Sequence, residues 1–258
     1  NRDCHKSVVN ISTICDVDLI YVKCKNLDNL STVVCVDDFI EKINDNLDAK
    51  AIFLTYPTYY GTTYDIKKII DYAHSKNMLV IVDEAHGAHL ELSTDLPRSA
   101  INLGADIVIQ STHKTLPSFT QSSMLHIKGN RVNKEKLESY LKIFQTSSPS
   151  YVLMSSLEIA VDIYEKYGKK LMNELLESLN SIKITNEFDK TKVFISIDKI
   201  KGYDLEKILR YEYNIQVELS NYKGVLLVCT IGNDRSDFIK LKNSLICILD
   251  NINLYIDF

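Results

Sequence analysis

The feature that most constrains this chain is a repeated alternation. Short β-branched apolar runs are separated by stretches with helical periodicity. The runs are "DLIYVK" (18–23), "AIFLTYP" (51–57), "MLVIVDEA" (78–85), "ADIVIQST" (105–112) and "SSMLHIK" (122–128). Each has strand length, and none alternates cleanly with polar residues, as expected of strands covered on both faces. Between them, "VDDFIEKINDNL" (36–47) predicts a helix capped by Asp37 or Asp38. "YDIKKIIDYAHSKN" (64–77) predicts another, capped by Asp65, with Ile66, Ile69, Ile70 and Tyr72–Ala73 on one face. Parallel strands need crossover connections, and helices supply them with a right-handed turn. The expected fold is therefore α/β, a three-layer architecture around a mostly parallel sheet.

The pattern changes after Asn130. "KEKLESYLKIFQ" (134–145) and a long run from about Ser150 to Asn180 are helical. Then follow "KVFISI" (192–197), "YDLEKILRYEY" (203–213), "IQVELS" (215–220), "GVLLVCTIG" (224–232) and "SDFIKLKNSLICILDNI" (236–252). This β-α-β-β-α order predicts a small α+β domain with an antiparallel sheet. The expected divisions are a large domain over 1–145, a connecting helical segment over 146–180 and a small domain over 181–258. A hydrophobic content of 45% among 258 residues suffices for a real core. The net charge of -4 gives no general electrostatic reason to bind nucleic acid. No apolar run approaches the ~20 residues that span a bilayer. Six scattered cysteines without C-x-x-C read as reduced cytosolic thiols, so a cytoplasmic location is expected. The opening "NRDCHKSVV" does not resemble a beginning, and the expectation is that the true N-terminus lies upstream.

In an open parallel sheet, ligands sit beyond the carboxyl ends of the strands. "TYPTYYG" (55–61), "DEAHGAH" (83–89) and "STHKT" (111–115) leave three successive strands there and converge on one rim. Asp-Glu-Ala-His at a strand end is also the acidic box of one group of helicases. That chemistry requires a phosphate loop of the type G-x-x-x-x-G-K-[ST], which this sequence lacks, together with a late arginine-rich motif, also missing. A metal reading would use His86 and His89, joined by His113 or His5. Gly87 between the first pair disfavours a helical ligand face, and no cysteine pair or H-E-x-x-H supports it. A third reading explains more residues. An Asp ending one strand and a Lys just after its neighbour, Asp83 and Lys114, form the arrangement of a pyridoxal-phosphate site. There the lysine amine condenses with the cofactor's aldehyde. The carboxylate pairs with the pyridine nitrogen and keeps it protonated.

At this point the sequence resembles a known family. "NRDCHKSV", "TYPTYYGTTYDIKKI", "VDEAHGAHL", "LGADIVIQSTHKTLPSFTQSSMLHIKG", "FQTSSPSYVLMSSLE" and "GYDLEKILRYEYNIQVE" are similar in order and spacing to the ornithine/lysine/arginine decarboxylases of the aspartate-aminotransferase-like fold. The resemblance covers about residues 1 to 250, and "QSTHKTLPSFTQSSMLH" is its most specific stretch. It implies pyridoxal 5'-phosphate as cofactor, Lys114 as the lysine that holds it and Asp83 as the partner of the ring nitrogen. It implies that His86 lies near the ring's phenolic oxygen and that His5 stacks on the ring face. Ser111 and His113 would hold the phosphate. Ser148 of "TSSPS" (146–150) would reach the phosphate site of a neighbouring subunit, which makes a homodimer or higher homo-oligomer the expected assembly. The residues alone leave Ser148 equally readable as a helix N-cap, and His5 as a surface histidine.

The same family carries a glycine- and threonine-containing turn upstream of the "CHKS" segment, where a helix N-terminus cradles the phosphate. That turn, with an edge strand, would precede Asn1, and "NRDC" would end an interior strand. The expected function is decarboxylation of arginine, lysine or ornithine to the amine and carbon dioxide, with no nucleic-acid or membrane partner. Glu218 in "QVELS" is a candidate contact for the far end of a basic substrate. Another enzyme of the same fold, an aminotransferase or an oxoamine synthase, stays open as an alternative, as does an inactive truncated fragment.

Overall fold

The computed structural model describes residues 3–26, 32–182 and 188–252. Helix α1 (Lys6–Ile14) leads to a small ribbon in which β1 (Cys24–Asn26) pairs antiparallel with β2 (Thr32–Val34). Next come α2 (Val36–Asp45), β3 (Ala51–Thr55), α3 (Ile66–Ser75) and β4 (Leu79–Asp83). After a 3₁₀ turn at Leu90–Leu92 follow α4 (Ala100–Leu103), β5 (Ile107–Gln110), the single turn α5 (Thr112–Thr115) and β6 (Met124–Ile127). Strands β3, β4 and β5 are parallel neighbours, and β6 closes the four-stranded sheet antiparallel to β5. The expected α/β class with a mostly parallel sheet is what the chain adopts.

Periodicity explains the core. Strand β4 buries Val80 and Val82 completely while Leu79, Ile81 and Asp83 stay half-buried, so its two faces are covered unequally. Helix α3 turns Ile66, Ile69, Ile70 and Ala73 inward, and it packs against β4. Each buried isoleucine contributes about 1.5–3 kcal/mol relative to exposure. Asp65 begins this helix as expected, accepting from the Lys68 backbone N–H at 3.1 Å. Helix α2 departs from expectation. Its N-cap is Cys35, and Asp37 and Asp38 lie in the first turn, where negative charge favours the positive end of the helix dipole.

The strand expected at 18–23 is absent. A strand exists only where a neighbour receives its hydrogen bonds, and ladder pairing begins at Cys24. The strand end expected at "NRDC" falls partly on residues 1–2, outside the described residues, and Asp3 lies in a turn.

Beyond β6, α6 (Lys134–Phe144) buries no side chain. The long helical run is two helices, α7 (Tyr151–Ile163) and α8 (Lys169–Ile182), joined by a π-helical turn at Tyr164–Gly168. Gly168 ends that turn at a close approach: a Cβ there would stand 2.5 Å from Leu92 Cδ2. Strand β7 (Lys192–Ile195), α9 (Gly202–Tyr211), β8 (Leu219–Ser220), β9 (Val225–Val228) and α10 (Arg235–Asp250) complete the chain. Their sheet has the order β7-β9-β8 and is antiparallel throughout, in agreement with the reading of the sequence. Only Leu219–Ser220 of "IQVELS" is strand. A single hydrophobic cluster runs from Val22 to Ile248 through both sheets. All six cysteines are free thiols, and no helix among the described residues is long and apolar enough to cross a membrane.

Candidate active site

Register brings the marked segments to one rim. Thr55 of β3 lies opposite Asp83 of β4, and Asp83 opposite Ile109 of β5. Pairing continues one step past the strand, with the Glu84 N–H donating to Ile109 O at 2.8 Å. Asp83 is therefore the last residue of β4, half-buried, and its carboxylate accepts from the Ala85 N–H at 3.0 Å. Lys114 sits on α5, one turn beyond the end of β5, and is exposed.

His86 is the hub. Its Nε2 lies 3.3 Å from Lys114 Nζ, and its Nδ1 lies 3.2 Å from Lys192 Nζ. The Tyr59 ring meets it edge to face at a centroid distance of 4.9 Å. Burial, with the cations of Lys192 and Lys114 beside it, pushes the imidazole down to about 3, so it is neutral. Tyr59 in turn donates to Glu218 at 2.7 Å. Burial and this carboxylate hold the phenol well above its usual range.

Lys192, Asp189 and Thr191 were absent from the sequence-based site. Lys192 opens β7 and is fully buried. Burial lowers its affinity for a proton, while Asp189 and Glu218 raise it. Asp189 is fully buried too. Burial pushes its carboxyl up, but His89 and Thr191 together outweigh that and hold it below the usual carboxylate range. Its Oδ1 lies 3.3 Å from His89 Nε2 and accepts from the Thr191 hydroxyl at 2.7 Å and the Thr191 N–H at 3.0 Å. His89, weighed as a metal ligand from sequence, is thus engaged with Asp189 in the interior. The "TYYG" turn is fitted against this segment. The Asp189 N–H donates to Gly61 O at 3.1 Å, and Gly61 has φ +83 with its missing Cβ 2.7 Å from Lys192 Cγ.

Glu84, next to Asp83, has a separate and structural setting. Its carboxylate accepts from Ser99 Oγ at 2.7 Å, the Ala100 N–H at 2.6 Å and Gln110 Nε2 at 2.6 Å. Complete burial outweighs those donors and raises it to about 7.

The remaining sequence candidates spread out. Ser111 caps α5 without a side-chain cap bond. His113 Nδ1 lies 2.7 Å from the Ser122 carbonyl, which occupies that ring nitrogen. His5 is exposed and caps α1, its Nδ1 accepting from the Ser7 N–H at 3.3 Å. Ser148 is exposed, and the cap of α7 is Ser150, which accepts from the Leu153 N–H at 3.5 Å. The N-cap reading of the "TSSPS" segment therefore belongs to Ser150. Two open surface hollows, one along α3 and one between residues 90–98 and α8, contain none of these groups.

These residues fit a pyridoxal phosphate at the ring end. A carboxylate, an amine and an imidazole face one rim from neighbouring strand ends. Beside Lys114, the buried hydroxyls of Thr112 and Thr115 have no hydrogen-bond partner among the described residues. A buried hydroxyl left unpaired is costly, and an oxyanion would satisfy it.

Comparison with known proteins gives a consistent result. Residues 1–199 match the family described as "Orn/Lys/Arg decarboxylase, major domain". The chain is 33% identical to an arginine decarboxylase of Bacillus subtilis over 269 residues, covering 95% of this chain and 55% of that protein. It is 32% identical to an arginine decarboxylase of Bacillus cereus, covering 97% of this chain and 59% of that one. The chain thus spans somewhat over half the length of these relatives. Among solved structures, the constitutive lysine decarboxylase of Escherichia coli superposes with a TM-score of 0.83 at 20% identity, over 98% of this chain and 45% of that chain. A cysteine desulfurase from the same organism gives 0.64 at 18% identity, over 84% of this chain and 63% of that one. Both likenesses show the fold, and the match over residues 1–199 shows the lineage: this chain belongs to the Orn/Lys/Arg decarboxylase family.

Proposed function

We propose that this chain carries the cofactor-binding part of a pyridoxal-phosphate-dependent decarboxylase acting on arginine, lysine or ornithine. The observation that carries the reading is the approach of Lys114 Nζ to His86 Nε2, at 3.3 Å, on the rim where Asp83 ends the neighbouring strand. The cofactor, when bound, supplies an electron sink for the pair left behind by departing carbon dioxide. The protein's own groups prepare that sink. The Asp83 carboxylate holds a proton on the ring nitrogen. Lys114 would hold the cofactor through its aldehyde carbon. His86 presents an imidazole to the same side. Ser111, His113 and the unpaired hydroxyls of Thr112 and Thr115 would serve the phosphate end, and His5 would serve the ring face. Glu218, hydrogen-bonded to Tyr59, supplies a negative charge suited to the cationic end of a basic amino acid.

The working unit in this reading is a homodimer or larger homo-oligomer. Helices α6 and α7 support it. Ile143, Phe144, Tyr151, Val152 and Met154 are 70%, 69%, 82%, 64% and 51% exposed, an apolar patch of the kind that a second copy covers. Ser148 lies between these helices, where it is offered to a neighbour's phosphate site.

Borohydride reduction followed by peptide mass mapping tests the central assignment. A pyridoxyl label on Lys114 is expected, and a label on another lysine with none on Lys114 overturns it. For assembly, a Lys114→Ala subunit mixed with a Ser148→Ala subunit regains activity if the site is shared. A fully active monomer in sedimentation refutes sharing.

A further inference from the structure

Tyr59 and Glu218 lie 159 positions apart in the sequence, yet the phenol donates to Glu218 Oε1 at 2.7 Å. The same tyrosine ring meets His86 edge to face at a centroid distance of 4.9 Å. His86 Nε2 in turn lies 3.3 Å from Lys114 Nζ. One chain of contacts therefore runs from Lys114 through His86 and Tyr59 to Glu218. An amine stands at one end of it and a carboxylate at the other.

We propose that Tyr59 is a positioning residue for substrate selection: its hydroxyl holds the Glu218 carboxylate where the free oxygen can meet the terminal cation of a basic amino acid whose other end is at Lys114. The direction of the hydrogen bond is fixed by chemistry, since an ionised carboxylate only accepts and the phenol is the donor. Both partners are held by backbone. Tyr59 sits in a turn closed by Thr58 N–H to Thr62 O at 3.0 Å and Gly61 N–H to Thr58 O at 2.9 Å. The Glu218 N–H donates to Leu226 O at 2.9 Å, which ties it to β9. Both side chains also reach solvent, Tyr59 at 37% exposure. A ligand can therefore approach the carboxylate, and Tyr59 engages only one of its two oxygens.

The inference deepens the proposed function and rests on it. There Glu218 supplies a charge, and here Tyr59 supplies its placement. A glutamate free to rotate gives up side-chain entropy each time it captures a cation, whereas one already held does not. Tyr59 thus acts through Glu218, and its removal weakens the capture of a cationic end while sparing a chain that lacks one.

The full-length protein, loaded with pyridoxal phosphate, is reduced with borohydride in the presence of a competing amine. Peptide mass mapping then gives the amine concentration that halves the pyridoxyl label on Lys114. Diaminopentane and aminobutylguanidine carry a cation at the far end, and pentylamine has a similar chain without one. In the parent, pentylamine is expected to need a concentration roughly tenfold to a hundredfold higher, the effect of one hydrogen bond to a charged group. Tyr59→Phe keeps the ring against His86 and is expected to cut that ratio roughly fivefold, the effect of one ordinary hydrogen bond. It does so by weakening the two cationic amines and leaving pentylamine as it was. Glu218→Gln is expected to bring the ratio to about one. Equal half-points for the three amines in the parent overturn the proposal, and so does an unchanged ratio in Tyr59→Phe. An equal rise for all three amines in Tyr59→Phe overturns it too, because that marks a merely structural contact. If Tyr59→Phe does not fold, Glu218→Asp decides: it keeps the charge but withdraws it from the phenol, and the same fall in ratio is expected. A labelled Lys114 with flat ratios defeats the role of Tyr59 alone. A parent without label on Lys114 defeats the cofactor reading and this inference with it.

Discussion

Replacing Gly61 by alanine tests how tightly the rim is fitted to the small sheet. Gly61 has φ +83, and a Cβ there would lie 2.7 Å from Lys192 Cγ, 2.8 Å from Lys192 Cβ and 3.1 Å from Asp189 Cβ. Two costs follow. The left-handed backbone costs a non-glycine residue about 1–2 kcal/mol. Forcing a methyl into a filled site costs about 1–3 kcal/mol more, because the atoms it meets are the first carbons of side chains rather than their flexible ends. Gly129 provides the control. It has φ +76 with nothing within 4 Å of its added Cβ, so Gly129→Ala carries the backbone cost alone. Thermal and urea unfolding, each followed by circular dichroism, compare the two variants. In a chain of this size 1 kcal/mol moves Tm by roughly 2–4 °C. Gly61→Ala is therefore expected to melt roughly 2–12 °C below Gly129→Ala. Equal melting temperatures would refute the claim that Lys192 and Asp189 are packed against the turn.

Three further outcomes are expected. Asp83→Asn lowers the decarboxylation rate roughly tenfold to a thousandfold, following the loss of an opposite charge worth about 1–3 pKa units, while leaving Tm nearly unchanged; equal activity removes Asp83 from the mechanism. Glu84 binds its proton more tightly in the fold, at about 7 against an ordinary value of 4.5, so its stabilising contribution is complete below pH ~4.5 and is lost as pH rises through ~7; urea titrations across that window show the decline, and Glu84→Gln flattens it. Asp189→Ala costs about 3–5 kcal/mol, since it strips His89 and the Thr191 hydroxyl and N–H of one buried acceptor; a loss below about 1 kcal/mol in denaturant unfolding argues against that network.

The parallel strands were legible because their apolar runs are short and bounded, and α3 because both its period and its Asp65 cap are local. Asp83, His86 and Lys114 were legible because strand ends in a parallel sheet point one way. Residues 18–23 misled because β-branched composition describes a side chain's preference and says nothing of a partner strand. Lys192 and Asp189 were missed for a related reason. In "FDKTKVF" they read as a solvated charged loop before a strand, and only tertiary packing buries them. The one local hint was Gly61, a glycine in a tyrosine-rich turn, which marks a close approach without naming what approaches. Ser150 was displaced by Ser148 as the cap because neighbouring serines offer the same hydroxyl, and backbone geometry alone chooses between them.

The segment from Asp189 to Lys192 is more than a support for His86. It joins the two sheets by a seam of interior polar contacts: Asp189 N–H to Gly61 O, Asp189 to His89, and Lys192 to His86. Swinging the small sheet away would hydrate the buried side chains of Asp189 and Lys192 and break these contacts together. On its other ring nitrogen His86 meets Lys114, which is exposed to solvent.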